Sequence, residues 1–388
     1  MAVKAKDIIS LLSLYAHRGC GSEEEMYARE ELLAILEGEP GVTVKEEGFY
    51  APSSYLPFFW IIFSGVILGI LITPYSPLVS LILTLCLSGS FLLFMDWRYS
   101  PLIQVTEHKI TANLVATKTT GYPLDPLIIL MAHLDSAPAS FAYRKEQISF
   151  FKITLYCTAV IMIFSSAFPL MHFGNYFIPD YVRFMYSTIL FLIIFITSID
   201  YWRYGYTPGA NDNLSGVTAA TTIARRCFRD MPENAEVRLV ITSAEEAGML
   251  GAKQYLGLHD EELMSRPTYV LNIDSVGAGK LCYVSHSGTF SETHYKGPVI
   301  ETAFRLSRDH DKFSHIRSMK HHVGDFDTIW FMRAGIPSLT LAAYDEEGAM
   351  PHIHTPEDTV KQLDHALIEE AIDYGEAIVR RLAIKEMT

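Results

Sequence analysis

Residues 126–135 read PLIILMAHLD, and this stretch decides the fold. Its first seven residues form an uncharged apolar run that ends at His133, and Asp135 lies two positions further on. A near-continuous apolar strand of this length is typical of a sheet that is covered on both faces. Ligands of such a sheet bind beyond the carboxyl ends of its strands. The stretch therefore predicts an α/β fold with a candidate site at His133.

Four further segments place metal-binding side chains at or near the ends of apolar runs. The segments are VRLVITSAEE (237–246), YVLNID (269–274), GANDNLSG (209–216) and HTPEDT (354–359). Their candidate side chains are Asp212, Glu245, Glu246, Asp274 and His354. Histidines and carboxylates that converge on one edge of a sheet form a metal site with mixed nitrogen and oxygen ligands. The alternation of helical and strand patterns along the chain predicts a mostly parallel α/β sheet flanked by helices.

These motifs resemble the zinc peptidase family that includes co-catalytic di-zinc aminopeptidases and glutaminyl cyclases. The resemblance extends from about Arg18 to the C-terminus, apart from two apolar blocks. It includes RGCGSEE (18–24), NLVA (113–116) and GIP (335–337). It implies a zinc aminopeptidase-like mixed sheet and an enzyme that hydrolyses peptide or other amide bonds.

The resemblance also implies two Zn²⁺ ions per chain. His133 and Asp274 are expected to bind one ion, and Glu246 and His354 the other. Asp212 is expected to bridge the two. A metal pair of this kind acidifies a bound water and stabilises the oxyanion that develops on the substrate. His352 is the only rival to His354 as a ligand, but His354 alone heads the family-like TPEDT.

Glu245 remains as the expected general base, which takes a proton from the metal-bridging water and passes it to the leaving amine. Adjacent side chains diverge on an extended backbone, so a turn must aim Glu245 and Glu246 at different targets. Asp135 shares a strand face with His133 and is expected to accept a hydrogen bond from its imidazole. In the resembling family a cis peptide follows the bridging Asp, so the bond between Asp212 and Asn213 is expected to be cis.

Three neighbouring motifs have open interpretations. The pair His321–His322 lines the substrate pocket or lies in a solvated loop. Asp325 and Asp327 stand where the family often carries Ser-Asp-His, and we expect them to be structural caps. Tyr344, just past a predicted strand, is a candidate for steadying an oxyanion.

Two apolar blocks lie outside the resemblance. Residues 56–73 and 78–95 form the first block, and residues 153–171 and 184–199 form the second. None of these segments carries a charge, and about 17 to 25 apolar residues suffice to cross a bilayer. We therefore predict two transmembrane hairpins, with four transmembrane helices, in a multi-pass membrane protein.

The hairpins divide the chain into five parts. Residues 1–54 begin the catalytic domain, 55–97 form the first hairpin, 98–140 continue the domain, 141–204 form the second hairpin, and 205–388 complete the domain. Each hairpin enters and leaves on one side, so the domain stays whole. Basic residues near the spans lie mostly on that side, which predicts a cytoplasmic catalytic domain.

Composition limits the partners and leaves several functions open. The formal net charge of −13 and a pI near 5.5 argue against nucleic acid. The expected partners are a peptide or amphiphilic amide substrate and the lipid bilayer, and the oligomeric state is not predicted. The leading interpretation is a di-zinc aminopeptidase. The alternatives are a hydrolase of lipid-linked amides, a mono-zinc glutaminyl cyclase and a non-catalytic membrane scaffold.

Overall fold

A nine-stranded mixed sheet forms the centre of the protein, in a computed structural model that describes residues 3–118, 126–232, 235–321 and 324–384. The strand order is β1-β2-β4-β3-β5-β9-β6-β7, and β8 pairs with β6. The strands are β1 (Val42–Pro52), β2 (His108–Lys118), β3 (Leu127–His133), β4 (Glu236–Thr242), β5 (Thr268–Ile273), β6 (Lys280–Ser287), β7 (Thr293–His294), β8 (Arg317–Lys320) and β9 (Ser338–Tyr344).

Helices cover both faces of this sheet. The α-helices in the described ranges are α1 (Ala5–Leu12), α2 (Glu23–Glu37), α3 (Leu56–Ile72), α4 (Pro77–Trp97), α5 (Lys145–Phe164), α6 (Ala167–Phe173), α7 (Asp180–Tyr204), α8 (Gly216–Arg229), α9 (Leu250–Ser265), α10 (Pro298–Asp309), α11 (Thr328–Arg333) and α12 (His365–Leu382). Residues of α1, α2, α8, α10 and α12 share one hydrophobic core, and residues of α9 and α11 share the other. The chain therefore has the predicted α/β architecture.

Strand β3 occupies the middle of the sheet, as its apolar sequence predicts. Alternate side chains point to opposite faces of a strand, so Ile128 and Leu130 join one core while Ile129 and Met131 join the other. All residues of β3 are buried. The strand pairs in parallel with β4 and β5, which places His133 at the central carboxyl edge.

The prediction that the sheet is mostly parallel is wrong. Parallel pairs join β4, β3, β5 and β9 in the centre and β8 to β6, whereas β1-β2, β2-β4, β6-β7 and β6-β9 are antiparallel. Strands β1 and β2 are antiparallel because the apolar hairpin α3–α4 leaves the sheet at the end of β1 and brings the chain back to that same end. Strand β2 then runs back along β1, from the pair Pro52–His108 to the pair Val42–Lys118.

The apolar helices form a bundle with its own hydrophobic core, which includes Phe58, Ile62, Met162 and Leu190. Within the described ranges, three helices are long and apolar enough to cross a membrane: Pro77–Asp96, Phe150–Phe173 and Asp180–Tyr204. The fourth predicted span, Leu56–Ile72, is a shorter apolar helix of 17 residues. Many outward side chains of the bundle are large and apolar, as in Leu85 and Phe164, which are 54% and 62% exposed.

A buried carboxylate just after α2, Glu39, pairs with two arginines of α8. Glu39 accepts hydrogen bonds from Arg225 Nε at 2.7 Å and from Arg229 Nε at 2.7 Å, and it is only 4% exposed. Burial alone would raise the pKa of Glu39, but the two guanidinium groups outweigh it and lower that pKa below its ordinary value of 4.5. A lowered folded-state pKa stabilises the fold above the ordinary value, and this stabilisation is lost as the pH falls through the folded pKa.

We expect Glu39→Gln to lower the free energy of unfolding by about 3 kcal/mol at pH 7, because it leaves Arg225 buried without its counter-charge. The difference from the parent protein should shrink as the pH falls through the lowered folded-state pKa of Glu39. Thermal unfolding in detergent at several pH values measures both effects. Glu346→Gln is the matched control, since its pair with Lys280 is exposed and contributes less than about 1 kcal/mol. Equal losses for the two variants would contradict the expectation.

Candidate metal centre

The predicted site residues lie together at the carboxyl edge of the central strands. His133 is the last residue of β3, Glu245 and Glu246 follow β4 in a turn, and Asp274 comes directly after β5. Two loops complete the site. The loop before α8 carries Asp212, and the loop between β9 and α12 carries His354. Asp212 is buried, at 5% exposure, and His354 is partly buried, with its side chain 14% exposed.

Two ligand groups share Asp212. The first contains His133, Asp212 and Asp274, and the second contains Asp212, Glu246 and His354; within each group the candidate ligand atoms lie within 4.8 Å of one another. Asp212 Oδ1 is 3.2 Å from His133 Nε2, while Asp212 Oδ2 is 3.2 Å from His354 Nε2. Each oxygen of one carboxylate therefore faces a different histidine, which is the arrangement a bridging ligand requires.

Each group also contains one carboxylate that is not shared, Asp274 in the first and Glu246 in the second, at a similar distance from its histidine. Asp274 Oδ2 lies 3.5 Å from His133 Nε2, and Glu246 Oε2 lies 3.2 Å from His354 Nε2. Two ligand atoms that are each about 2.1 Å from one tetrahedral Zn²⁺ are about 3.4 Å apart. The spacing in both groups thus suits zinc.

Burial and charge at the site also fit a cation pair. Glu246 Oε1 is buried and has no hydrogen-bond partner among the described residues. Burial raises the pKa of Glu246 and of Glu245 well above the usual carboxyl range, and neighbouring carboxylates raise the pKa further. Buried carboxylates so close together require neutralisation, and two divalent cations would supply it.

The turn after β4 is held by Asp135, and this corrects one prediction. The Asp135 carboxylate accepts hydrogen bonds from the backbone N–H groups of Glu245 and Glu246, both at 3.1 Å. His133 Nδ1 instead lies 3.0 Å from the backbone carbonyl oxygen of Asp135 and 3.7 Å from its carboxylate. The expected imidazole–carboxylate hydrogen bond is therefore wrong, because a chain turn beyond β3 brings the carbonyl closer. Asp135 positions the two glutamates.

The backbone is left-handed at several residues beside the ligands. Ala244 (φ 56°), Ser275 (φ 51°) and His354 (φ 55°) have positive φ, as does His352 (φ 66°). Residues other than glycine avoid this region, and such conformations cluster at functional sites. The peptide bond between Asp212 and Asn213 is cis, which confirms that prediction.

Asp358 is a buried partner whose role the sequence did not indicate. Its Oδ1 accepts the N–H of Asn211 at 2.6 Å and its Oδ2 accepts the N–H of Asp212 at 3.0 Å. The only available signal was its position in the motif TPEDT, four residues after His354. Asp358 therefore connects the loop that carries His354 to the loop that carries Asp212.

Asp325 and Asp327 are not helix caps, contrary to expectation. Asp327 stands at the start of α11 but makes no side-chain capping bond, and Asp327 Oδ2 instead accepts the Thr242 hydroxyl at the end of β4. Asp325 accepts the Ser287 hydroxyl at 3.1 Å. Both aspartates are buried, and each accepts a hydrogen bond from a hydroxyl group of another segment.

His321 Nδ1 lies 3.2 Å from the hydroxyl of Tyr344, and His322 lies outside the described residues.

Two tyrosines at the ends of the apolar hairpins reach the site. The Tyr143 ring stacks on the His354 ring, with centroids 4.1 Å apart and planes 27° apart. Burial raises the pKa of Tyr143 and of Tyr55, and the Glu246 carboxylate raises both further. Tyr55 directly precedes α3, and Tyr143 lies two residues before α5. No local pattern in the sequence indicated these contacts.

Residues 193–378 match the family described as Peptidase family M28. This segment is similar to that family. It contains Asp212, Glu245, Glu246, Asp274 and His354, whereas His133 and Asp135 precede it.

The curated relatives that match this chain are aminopeptidases by name. Aminopeptidase YwaD of Bacillus subtilis is 28% identical over 198 residues, which are 50% of this chain and 42% of that protein. The probable leucine aminopeptidase 2 of Aspergillus oryzae is 28% identical over 135 residues, which are 34% of this chain and 27% of that protein. The chain thus spans less than half the length of these relatives. Together the family match, the relatives and the site support a zinc metallopeptidase hydrolase.

Solved structures share the fold. A Zn-dependent exopeptidase from Parabacteroides distasonis has a TM-score of 0.57 at 12% identity, covering 100% of this chain and 98% of that one. Glutaminyl cyclase from Porphyromonas gingivalis has a TM-score of 0.56 at 14% identity, covering 98% and 97%. At such low identity these structures show the fold alone.

Proposed function

We propose that the protein is a membrane-embedded, zinc-dependent amide hydrolase that acts as an aminopeptidase. The observation that carries the proposal is Asp212, whose two carboxylate oxygens each face a different histidine at 3.2 Å. His133 and Asp274 would hold one Zn²⁺, and Glu246 and His354 the other, as the ligand resemblance implies. Zinc at this position would supply an acidified water and stabilise negative charge on the scissile carbonyl.

We propose that Glu245 is the general base that transfers the protons. Its side chain lies with His133 and Glu246 in one compact group, and its backbone is fixed by the Asp135 carboxylate. A raised pKa suits a group that must accept a proton from the attacking water and then give it to the leaving amine. Tyr344 is buried at the end of β9, and its pKa is raised well above the usual value by burial and by Asp274 among other neighbours. We propose that its hydroxyl steadies the oxyanion.

The apolar bundle supports a membrane location. We propose that Leu56–Ile72 also spans, so that four helices form two hairpins, with domain boundaries as predicted and the catalytic domain on the cytoplasmic side. At about 1.5 Å per residue this helix is about 26 Å long, somewhat short of a bilayer core of about 30 Å. Trp60 on this helix donates a hydrogen bond to Ser198 Oγ of α7 at 3.0 Å, which joins the two hairpins.

A second candidate substrate is an amphiphilic, lipid-linked amide, and one observation favours it. Tyr143, which leads into the second hairpin, stacks on His354 of the candidate metal centre. The second hairpin is fixed at its base by Arg144, which donates to both oxygens of the buried Asp200 at 2.6 Å and 2.7 Å. A substrate with a long acyl chain would pass along this base from the bilayer.

Hydrolysis of a small aminoacyl amide tests the aminopeptidase proposal. The purified protein should release leucine from leucine p-nitroanilide but not from its N-acetylated form, since an aminopeptidase requires a free amino group. Failure on every aminoacyl amide with two ions bound would contradict the aminopeptidase proposal. Glutaminyl cyclisation should be assayed in parallel on a peptide with N-terminal glutamine.

Replacing residues 146–198 with a short polar linker tests the role of the second hairpin. This variant retains Tyr143 and the ion pair between Arg144 and Asp200. Because these two side chains are in contact, a short linker can join the chain ends at residues 145 and 199. We expect hydrolysis of the small amide to persist and hydrolysis of a long-chain N-acyl amide to fall by about tenfold or more. The control deletes nothing but carries Tyr181→Ser, an exposed change far along the hairpin. Unchanged rates on both substrates would show that the hairpin is only an anchor.

A further inference from the structure

Three metal-binding side chains meet beside the turn between β6 and β7, outside the candidate metal centre. His286, Glu292 and His294 each offer a ligand atom, and these atoms lie within 4.8 Å of one another. His286 is partly buried, and the other two residues are exposed. None of the three belongs to the two ligand groups that share Asp212. They form what we term the turn cluster.

The register of the two strands places the turn cluster on one face of the sheet. His286 of β6 lies directly opposite His294 of β7, and the centroids of their rings are 4.1 Å apart. Glu292 comes two residues before His294, and side chains two residues apart on an extended chain share a face. Two imidazoles with a carboxylate beside them are a ligand set that Zn²⁺ accepts.

The hydrogen bonds of His286 leave one of its ring nitrogens able to bind a metal. Ser285 Oγ donates its proton to the carbonyl oxygen of Met319 at 3.1 Å. A hydroxyl has one proton, so Ser285 Oγ accepts from His286 Nδ1, which lies 2.9 Å away. The proton of the neutral imidazole is therefore held on Nδ1, and Nε2 keeps its free lone pair. Histidines that bind metals usually donate their other N–H to an outer partner of this kind.

The turn between the two strands is held in place by the apolar helices. The N–H and the hydroxyl of Ser291 both donate to the carboxylate of Asp96 in α4, at 2.7 Å and 2.8 Å. The Tyr156 hydroxyl of α5 donates to the carbonyl oxygen of Thr289 at 3.1 Å. Gly288 has φ +124°, and a side-chain carbon there would collide with the carbonyl oxygen of Ser291. A backbone that is already ordered lowers the entropic cost of binding a ligand.

We infer that the turn cluster is a zinc site, separate from the candidate metal centre. Two imidazoles and one carboxylate would hold the ion, and water would complete its coordination. Because these ligands are open to solvent, the ion should be bound more weakly than in a buried centre, and extensive dialysis should remove it. The turn contacts α4 and α5, so the ion would strengthen the attachment of the catalytic domain to the apolar bundle.

Lys320 competes with the ion in the metal-free protein. It pairs with His286 in the register of β8 and β6, and Lys320 Nζ lies 3.8 Å from Glu292 Oε2. The two side chains of this ion pair are 49% and 50% exposed, so the pair contributes little and zinc can displace the lysine. A neutral side chain at position 320 should therefore increase the affinity for zinc, by about two- to fivefold.

Zinc titration of the whole chain in detergent tests the inference. After the candidate centre is loaded and free zinc is removed by dialysis, calorimetry with zinc chloride should detect one further ion per chain. His294→Ala should weaken this binding by about 100-fold, since the loss of an outer partner alone costs about 10- to 100-fold. His310→Ala removes an exposed histidine at the end of α10 and is the matched control. Absence of the further ion, or equal affinity in the parent protein and His294→Ala, would overturn the inference.

Two further measurements distinguish a zinc site from a surface that attracts any cation. Ser285→Ala removes neither a ligand nor a charge, but it should lower the zinc affinity by about 10-fold or more because His286 loses its outer partner. Calcium chloride should produce no binding at the same concentration, because Ca²⁺ takes oxygen ligands. Equal binding of calcium and zinc would overturn the inference.

Asp212→Ala separates this inference from the proposed function. The variant should lose the ions of the candidate centre and still bind one zinc ion at the turn cluster, because Asp212 is not part of it. A zinc titration of Asp212→Ala that shows no binding would overturn the inference and leave the proposed function untouched. Loss of that binding in the double variant with His294→Ala is the result expected.

Discussion

Glu245→Gln is expected to reduce turnover by about 10² to 10⁴-fold while leaving the metal content unchanged. The amide keeps the shape of the glutamate but cannot accept the proton of the attacking water. The backbone N–H of residue 245 would still donate to Asp135, so the turn after β4 should persist. Steady-state kinetics on leucine p-nitroanilide, with metal analysis of the same sample, measure both quantities.

Glu246→Gln is the matched comparison, because it makes the same change one residue away. Glu246 Oε2 faces His354 Nε2 at 3.2 Å, so we expect this variant to lose metal as well as activity. If the two variants exchanged behaviours, the roles of the neighbouring glutamates would be reversed. If neither changed the rate, the proposed mechanism would be wrong.

Asp212→Ala is expected to weaken both metal sites together, which is the second large effect. Wild-type protein should bind two Zn²⁺ per chain, whereas the variant should retain less than one at the same free zinc concentration. The reason is that both ligand groups contain Asp212. Titration with a chromogenic chelator after dialysis measures the stoichiometry.

Asp274→Ala provides the control for a single site. Asp274 belongs to the group of His133 and Asp212 but not to the group of His354. This variant should therefore lose about one ion and keep the other. Wild-type protein that saturates at one ion in excess zinc would contradict the two-ion prediction and favour the cyclase-like alternative.

The sequence predicted the residues that meet at the site because the relevant signals are local. Each apolar strand has a length and composition that mark its end, and parallel strands bring those ends to one edge. Helix α2 also begins at a local signal, because the Ser22 hydroxyl accepts the N–H of Glu25 at 3.1 Å. The roles of the grouped residues remain predictions.

Contacts between distant segments were not predictable from local patterns. Tyr143 and His354 stack although more than two hundred residues separate them, and Arg98 pairs with Asp325 across a similar distance. The antiparallel pairing at the β6 edge of the sheet was not predicted for a related reason. Strand β6 mixes polar and apolar residues, and its partners β8 and β9 come later in the chain. Asp135 was misjudged because a backbone carbonyl competes with a side chain at almost the same place.

The two hairpins share one feature, since each leaves and re-enters the domain between paired residues. The first begins and ends beside the pair Pro52–His108. The second begins and ends beside the bridge between Pro138 and Tyr206, where Ala139 N–H also donates to the Gly205 carbonyl at 3.0 Å. Loop closure costs more entropy as a flexible connection lengthens. Packed helices return the chain to its point of departure, so we expect them to lower the entropic cost of closing the Pro52–His108 and Pro138–Tyr206 pairs.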